Sequence, residues 1–591
     1  MKHISYISTL AFVLAAVSIF SSCTDWLEEK AYSAVSNDQI PDSDAGADMW
    51  AIGVYNGLTR LFVYDEWPRC IEFDCDYVTG PTWAFDEAGA GNFQGATMQV
   101  DPAWKLTYEL IRSANEAIAH VEKMQKASIK HRDNVLGEMY FLKAWGCFML
   151  VRLYGEIPIY QRSINQGNLR NEPRQAIPVV YEHIIDLLNQ SKTLLYKNTD
   201  PAFKPGRICA GAAATLLAKV YLTMASGAKD NESVRVKGGK PLDGNRNFTN
   251  PASKSFQIKQ VKGYESFDPI EYYTKAMELA DSIIKQKFGQ HELLPYADLW
   301  KHSSKRDSRE HLFSVHFISG DEQLGALFPS RFCGQRINGV VPGAGGGLWF
   351  GMRDHWYKLF DENRDSRVID GVFHRFVRDS DDKFGGGSYY PNTNVWSCRA
   401  RGFYINTDKD TIRTNEHGDP YEMYDIFKDG RNYNSDNGEN FLAFVTKYAD
   451  VSNPALLRTD GMYPFLRYAD VLLIYAEADN EVNNGATEAG LGAYNLVRRR
   501  SGAAERGGNP DKLTFRSIIV EERAMEFAME AGDRRMDLIR FGIYLDVMND
   551  IGGLDEINVL KSRMEKHLLY PIPQDEMLTN TEITENNPGW N

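Results

Sequence analysis

The chain has 591 residues, 43% hydrophobic and 12% aromatic, and carries a formal net charge of −14. That balance argues against a nucleic-acid partner, which selects concentrated Lys and Arg, and it leaves some of the 30 Tyr, 30 Phe and 11 Trp for surface recognition once a core is filled. The interior has no long Pro- or Ser-rich linker, so one large body with an elaborated lobe is expected.

The N-terminus reads as an export address. Lys2 precedes an apolar stretch from Leu10 to Phe20 that is too short to span a bilayer. Ser21-Ser22-Cys23 looks like a bacterial lipobox. Residues 1–22 are therefore expected to be a lipoprotein signal peptide, with Cys23 the lipidated start of a body running 23–591; the alternatives are a conventional signal cleaved near Cys23 or a chance cysteine. The acidic TDWLEEK that follows fits a lipoprotein sent to the cell surface. Acyl chains contribute roughly 0.8 kcal/mol per buried CH₂, and several together hold a soluble body on a membrane. Cys70 and Cys75 are either a pair in an oxidising location or two separate thiols, while Cys147 and Cys209 lie in apolar helical runs and read as small core residues. There is no CxxC and no His at zinc spacing, so no zinc site or cofactor is expected; the Asp-rich DSDDKFGG could bind calcium but lacks EF-hand spacing and reads as a solvated turn.

Along the chain, positions 76 to 95 (DYVTGPTWAFDEAGAGNFQG) read as irregular. The run from Met139 to Tyr154 is apolar on nearly every side except Lys143 and stops at Gly155, which predicts a buried helix that needs other helices around it. GRICAGAAATLLAKVYLTMASG sets Ala212, Ala213 and Ala214 beside Leu216 and Leu217, small against large, for close helix approach. Residues 227–265 and about 320–460 turn rich in Gly, Asn, Asp and isolated aromatics, with short strand-like runs such as HLFSVHF, and read as loop-dominated. RYADVLLIYAEADN to AYNLVRRRSG predicts two helices around an Asn484-Gly485 turn, ending at Gly502, and SIIVEERAMEFAMEAGDRRMDLIRFG repeats the plan with a break at Gly532. Such helix pairs, with Leu136-Gly137 and Tyr140 echoing the start of a tetratricopeptide unit, suggest stacked repeats. The expected fold is mostly α: tetratricopeptide-like helix pairs forming a curved scaffold, mainly 45–226 and 463–548, with an irregular, loop-rich lobe carrying short strands.

Taken together, RYADVLLIYAEADN, AYNLVRRRSG, IIVEERAMEFAMEAGDRRMDLIRFG, LLYPIPQDEM and NNPGWN, with GEMYFLKAWGCFMLVRLYGEIPIY and GRICAGAAATLLAKVYLTMA upstream, resemble the SusD/RagB family of outer-membrane nutrient-binding lipoproteins. The match covers nearly the whole chain after the signal. Ala524-Met525 stands where relatives commonly carry further basic residues, which puts one local ion pair in doubt. The resemblance implies four helix pairs, a lipid anchor in the outer membrane, and a role as lid on a SusC-like TonB-dependent transporter to which surface-bound oligosaccharide is handed. A minority of relatives resemble RagB and handle oligopeptides. A surface glycoside hydrolase or a structural adaptor is the more distant alternative.

A pyranose presents a C–H face and a hydroxyl rim, so a loop-borne aromatic beside amide or charged groups is the feature to seek. Three places qualify: Trp83 and Phe85 among Tyr77, Asp86, Asn92 and Gln94; Trp349 and Phe350 after the glycine run GAGGG and before Arg353 and Asp354; and Tyr389, Tyr390 and Trp396 around Asn392 and Asn394. Glycines allow backbone conformations that tip a ring outward; the competing reading has Trp349 packing down to pin its loop. Trp145 and Tyr154 read as core, and the charges Glu521, Glu522, Arg523, Arg534, Arg535 and Arg540 as solvated or paired. No GxSxG, HExxH, Walker A or Rossmann pattern appears in context, and 80 acidic residues make accidental carboxylate pairs uninformative, so no catalytic residue is assigned.

Overall fold

The computed structural model describes residues 39–62, 66–80, 82–85, 87–92, 100–167, 171–243, 249–332, 350–372, 442–554 and 558–590, with the residue pairs 375–376, 388–389, 405–406 and 411–412. Cys23 lies outside them. The main helices in chain order are α1 (Asp44–Arg60), α2 (Glu66–Glu72), α3 (Val100–Val121), α4 (Ile129–Tyr154), α5 (Ile177–Leu194), α6 (Ala210–Gly227), α7 (Pro269–Ile284), α8 (Tyr468–Val482), α9 (Glu488–Arg500), α10 (Lys512–Glu526) and α11 (Asp533–Arg540). The strands used below are β1 (Val78–Thr79), β2 (Ser233–Gly238), β3 (Ala252–Gln257), β4 (His311–His316), β5 (Gly351–Met352), β6 (Arg375–Phe376), β7 (Ser388–Tyr389) and β8 (Met462–Arg467).

Helices dominate, and each packs chiefly on its neighbours in sequence: α1 on α3, α3 on α4, α4 on α5, α5 on α6, α6 on α7, then α7 on α8 and α8 on both α9 and α10. That succession is the expected tetratricopeptide-like scaffold. The Met139–Tyr154 part of α4, apolar but for Lys143 and Arg152, is surrounded, with Trp145 and Tyr154 in the core as expected. The scaffold extends beyond 45–226 and 463–548, because α7 bridges its two halves. Its signal is local: Asp268 caps the backbone N–H groups of Ile270 and Glu271, Pro269 takes the first turn, and Tyr273, Ala276, Ala280 and Ile283 form one buried stripe.

Residues 227–265, expected as irregular, contain a six-residue antiparallel ribbon of β2 and β3, with Val234 paired to Phe256. Only β2 alternates usefully, burying Val234 and Val236 while Arg235 faces out; β3 is exposed almost throughout, which is why its sequence looked loop-like. A second ribbon pairs β4 with β8 across nearly 150 residues, with Tyr463 opposite Val315. Since β8 runs straight into α8, the lobe is an insertion hung between two paired strands. Cys70 and Cys75 are buried as separate thiols, and Cys147 and Cys209 are core residues.

The helix charges are paired, but they are buried and not solvated. Arg523 reaches Asp470 at 2.6 Å and Asp537 at 2.8 Å, Arg540 holds Glu477, and Glu522 is shared by Arg367 and Arg498 at 2.6 Å each. Glu521 pairs with Lys237 nearer the surface. Packing against sequence neighbours leaves the facing sides of α8, α10 and α11 dry, so their charges must find each other there.

Candidate functional site

The three aromatic stretches, far apart in sequence, leave the body at one junction. β1 pairs antiparallel with β5, Val78 opposite Met352 and Thr79 opposite Gly351. Met352 in turn exchanges backbone hydrogen bonds of 2.8 and 2.9 Å with Ala443, and Val372 bridges Val445. The segment after residue 80, the glycine-rich run before Phe350, and the two arms of the stretch from 373 to 441 are therefore rooted within neighbouring-strand spacing, about 5 Å. Gly351 is required for this approach, because a Cβ there would meet Leu442 side-chain atoms at 2.7 and 2.8 Å.

Aromatic rings clamp the roots. Phe350 stacks on Phe332 with centroids 4.3 Å apart and planes 1° apart, and on Phe73 at 4.3 Å and 9°. Phe332 and Phe350 stand on either side of the 333–349 segment, so the neck of the glycine-rich run is closed by ring on ring. Phe73 also meets Phe85 edge-on at 5.4 Å, tying in the short helix Thr82–Phe85.

This geometry corrects three expected ligand contacts. Phe350 and Phe85 are fully buried, and Tyr77 is 3% exposed. The Tyr77 hydroxyl donates to the Lys237 carbonyl, its ring faces the Arg534 guanidinium at 4.6 Å, and burial pushes its phenol well above the ordinary range. A large ring beside a hydrophobic junction gains more by burial than a loop gains by displaying it, so these rings became the anchor and not the platform. Asn92 is half-buried and accepts a hydrogen bond from the Lys561 ammonium. The backbone of Trp83 lies in the short helix Thr82–Phe85, and Tyr389 sits on β7 opposite Arg375 of β6; their side chains lie outside the described residues, as do Trp349, Tyr390 and Trp396 entirely.

Beneath the junction lies a layer of charge pairs that sequence reading missed. Arg534 holds Asp76 through two hydrogen bonds of 2.7 and 2.6 Å, and Arg535 holds Asp74 at 2.9 Å. Arg563 reaches Asp74 at 3.1 Å and the Gly89 carbonyl at 2.6 Å. Arg353 donates to the Asp76 carbonyl at 2.8 Å. The Arg535 and Arg563 guanidinium groups outweigh burial and hold the Asp74 carboxyl below its usual range. Among the described residues Glu72 has no such cation: burial dominates over its bonds from Tyr463 and Gly532, and its carboxyl is pushed up to about 8. The only sequence signal was the closeness of Glu72, Asp74 and Asp76 to one another and of Arg534 to Arg535, two clusters of opposite sign more than 450 residues apart.

The C-terminal hairpin of Gly553–Leu554 with Val559–Leu560 flanks the first loop and was also missed. Asn558 donates to the Thr79 hydroxyl and the Gly80 carbonyl at 3.0 Å each, and the Lys561 N–H donates to the Ala90 carbonyl at 2.9 Å. The carboxylates of this floor are buried and engaged by Arg or Tyr, a poor arrangement for acid–base work. Among the described residues, no His, Cys, Asp and Glu group could hold a metal ion. The arrangement is that of a rigid mount for several loops around one spot, which suits recognition.

A profile described as the SusD family matches residues 309–590, and one described as starch-binding associating with outer membrane matches residues 25–222. Similar proteins include SusD-like protein P25 of Formosa agariphila, 23% identical over 605 residues covering 98% of this chain and 97% of the relative, and SusD-like protein P2 of the same organism, 23% identical over 509 residues covering 83% and 81%. Among solved structures, a SusD homolog from Bacteroides thetaiotaomicron superposes with a TM-score of 0.67 at 23% identity, covering 93% of this chain and 97% of its own. A laminarin-binding SusD-like protein gives 0.60 at 18% identity with 92% and 98% covered, and a structure with xylogluco-oligosaccharide gives 0.60 at 17% with 91% and 98%.

Proposed function

The chain belongs to the SusD family, and on that premise we propose that it captures oligosaccharides at the cell surface and delivers them to a SusC-like TonB-dependent outer-membrane transporter. The observation that carries the reading is the common root of the three aromatic loops, which gives one mount to rings that sequence scatters over more than 300 residues. Trp83, Trp349, Tyr389, Tyr390 and Trp396 are proposed as the contacts, with Asn92 at the rim. Relatives described with laminarin and with xylogluco-oligosaccharide support a glycan as the ligand. No described helix is long and apolar enough to cross a membrane. Lipidation at Cys23 is proposed as the attachment, and no catalytic step is proposed.

Titration calorimetry of the purified protein against a glycan panel and an oligopeptide panel tests the ligand class. Heat with a glycan and none with peptides is expected. Tight peptide binding with no glycan heat would overturn it.

A further inference from the structure

We propose that the helical scaffold carries a second, shallow sugar site of its own, centred on Tyr221 and Tyr272 where α6 surfaces between α5 and α7, and that it takes a neutral oligosaccharide with a flat C–H face. The loops play no part in it.

α6 buries every residue from Ala210 to Gly227 except Tyr221. Its small residues let α5 and α7 close over it, so the helix opens at one point, and a phenol ring fills that point. Tyr272 of α7 meets Tyr221 with centroids 6.0 Å apart and planes at 37°, and both rings are half-buried. The core fixes Tyr272. Phe267 packs edge-on against it at 5.5 Å and meets the buried Tyr264 and Tyr181 at 5.7 Å each. From α5, the Asn189 side chain hydrogen-bonds the Tyr221 phenol. Glu182, exposed seven residues earlier on the same face of α5, acts on the Tyr272 phenol.

The other half-buried ring pairs among the described residues differ. Trp50 lays its face on His120 at 4.4 Å and 13°, and Tyr108 meets Tyr160 at 90° with its hydroxyl donated to the Pro158 carbonyl. At Tyr221 and Tyr272, canted ring faces, an amide and a carboxylate converge. A pyranose needs that set: an aromatic under its C–H bonds and polar groups at its hydroxyls. The Lys275 ammonium stands over both rings, 4.7 Å from the Tyr272 centroid and 5.9 Å from that of Tyr221, and its ion-pair partner is the exposed Glu271 one turn back. An exposed pair of this kind holds weakly, so the long side chain swings aside and donates to a sugar hydroxyl as the ring comes down. Open on its solvent side, the site fills only at millimolar sugar.

Saturation-transfer NMR of the intact protein with millimolar cellotetraose, xylotetraose and laminaritetraose tests it. At least one probe should show transfer to its C–H protons, and that transfer should persist in Trp83→Ala. Tyr272→Ala should raise the dissociation constant about tenfold, Tyr272→Phe, which keeps the ring, should rescue it, and Asn189→Ala, at the rim alone, should raise it about twofold or more. Transfer abolished by Trp83→Ala and unmoved by Tyr272→Ala and Asn189→Ala would overturn the inference and leave the loop site standing. Transfer unmoved by all three, or absent with every probe, would overturn it as well, while the loop site answers to its own calorimetry.

Discussion

Phe350 and Trp83 mark the two uses this molecule makes of an aromatic ring. Phe350 lies between Phe73 and Phe332 with no solvent exposure, so Phe350→Ala should cost about 3–5 kcal/mol of folding stability, read in a denaturant titration. Trp83→Ala should instead lower glycan affinity about tenfold while the melting temperature hardly moves. Equal destabilisation by both, with glycan affinity of Trp83→Ala intact, would make Trp83 a packing residue too. Glu72 supplies a pH signature. Its folded carboxyl lies at about 8, above the ordinary 4.5, so its contribution to stability is full below about pH 4.5 and is lost as pH rises through about 8. Against Glu72→Gln, the wild type should lose relative stability between about pH 5 and 8; a flat difference would mean that Glu72 stays ionised.

At the scale of elements, the turn between α10 and α11 joins the lobe to the scaffold. Met529 and Ala531 both have φ of 58° and Gly532 has 64°, a run that only strong external contacts sustain. Those contacts are present. The Tyr448 hydroxyl donates to the Met529 carbonyl, Lys447 to the Ala528 carbonyl at 2.9 Å, and the Ala531 and Gly532 N–H groups to Tyr463 and Glu72 at 3.0 Å each. Ala531→Gly should leave stability unchanged or raise it by up to about 1 kcal/mol, whereas Gly532→Ala, whose Cβ would lie 2.6 Å from the Ile71 carbonyl oxygen, should cost more than about 1 kcal/mol. Thermal melts check both, and the reverse order would contradict the strain. Helices such as α4 were legible from an apolar run and a stop at Gly155, whereas α7 was missed although Asp268 caps it. The β2–β3 ribbon and the two-residue strands at the loop roots were not, since pairings such as Val78 with Met352 join residues far apart and leave no local pattern.

For the whole molecule, sequence predicted the scaffold and the family but could not say which loop aromatics face inward. Tyr77, Phe85 and Phe350 look like Trp83 and Trp349 in one dimension; only the junction shows that the first three fill it. Attachment is a separate matter, tested by Cys23→Ala, which should lose acyl label and outer-membrane fractionation while keeping its fold. Membrane association that survives the substitution would remove the proposed anchor. The central claim is that the loops rooted at the β1–β5 junction act as one glycan site. Hydrogen–deuterium exchange of the protein with and without a bound oligosaccharide measures it directly. Protection rising together in 81–99, 333–349 and 373–441, with the scaffold helices unchanged, is the predicted result; protection confined to α3 through α7, with all three loops unaffected, would contradict it.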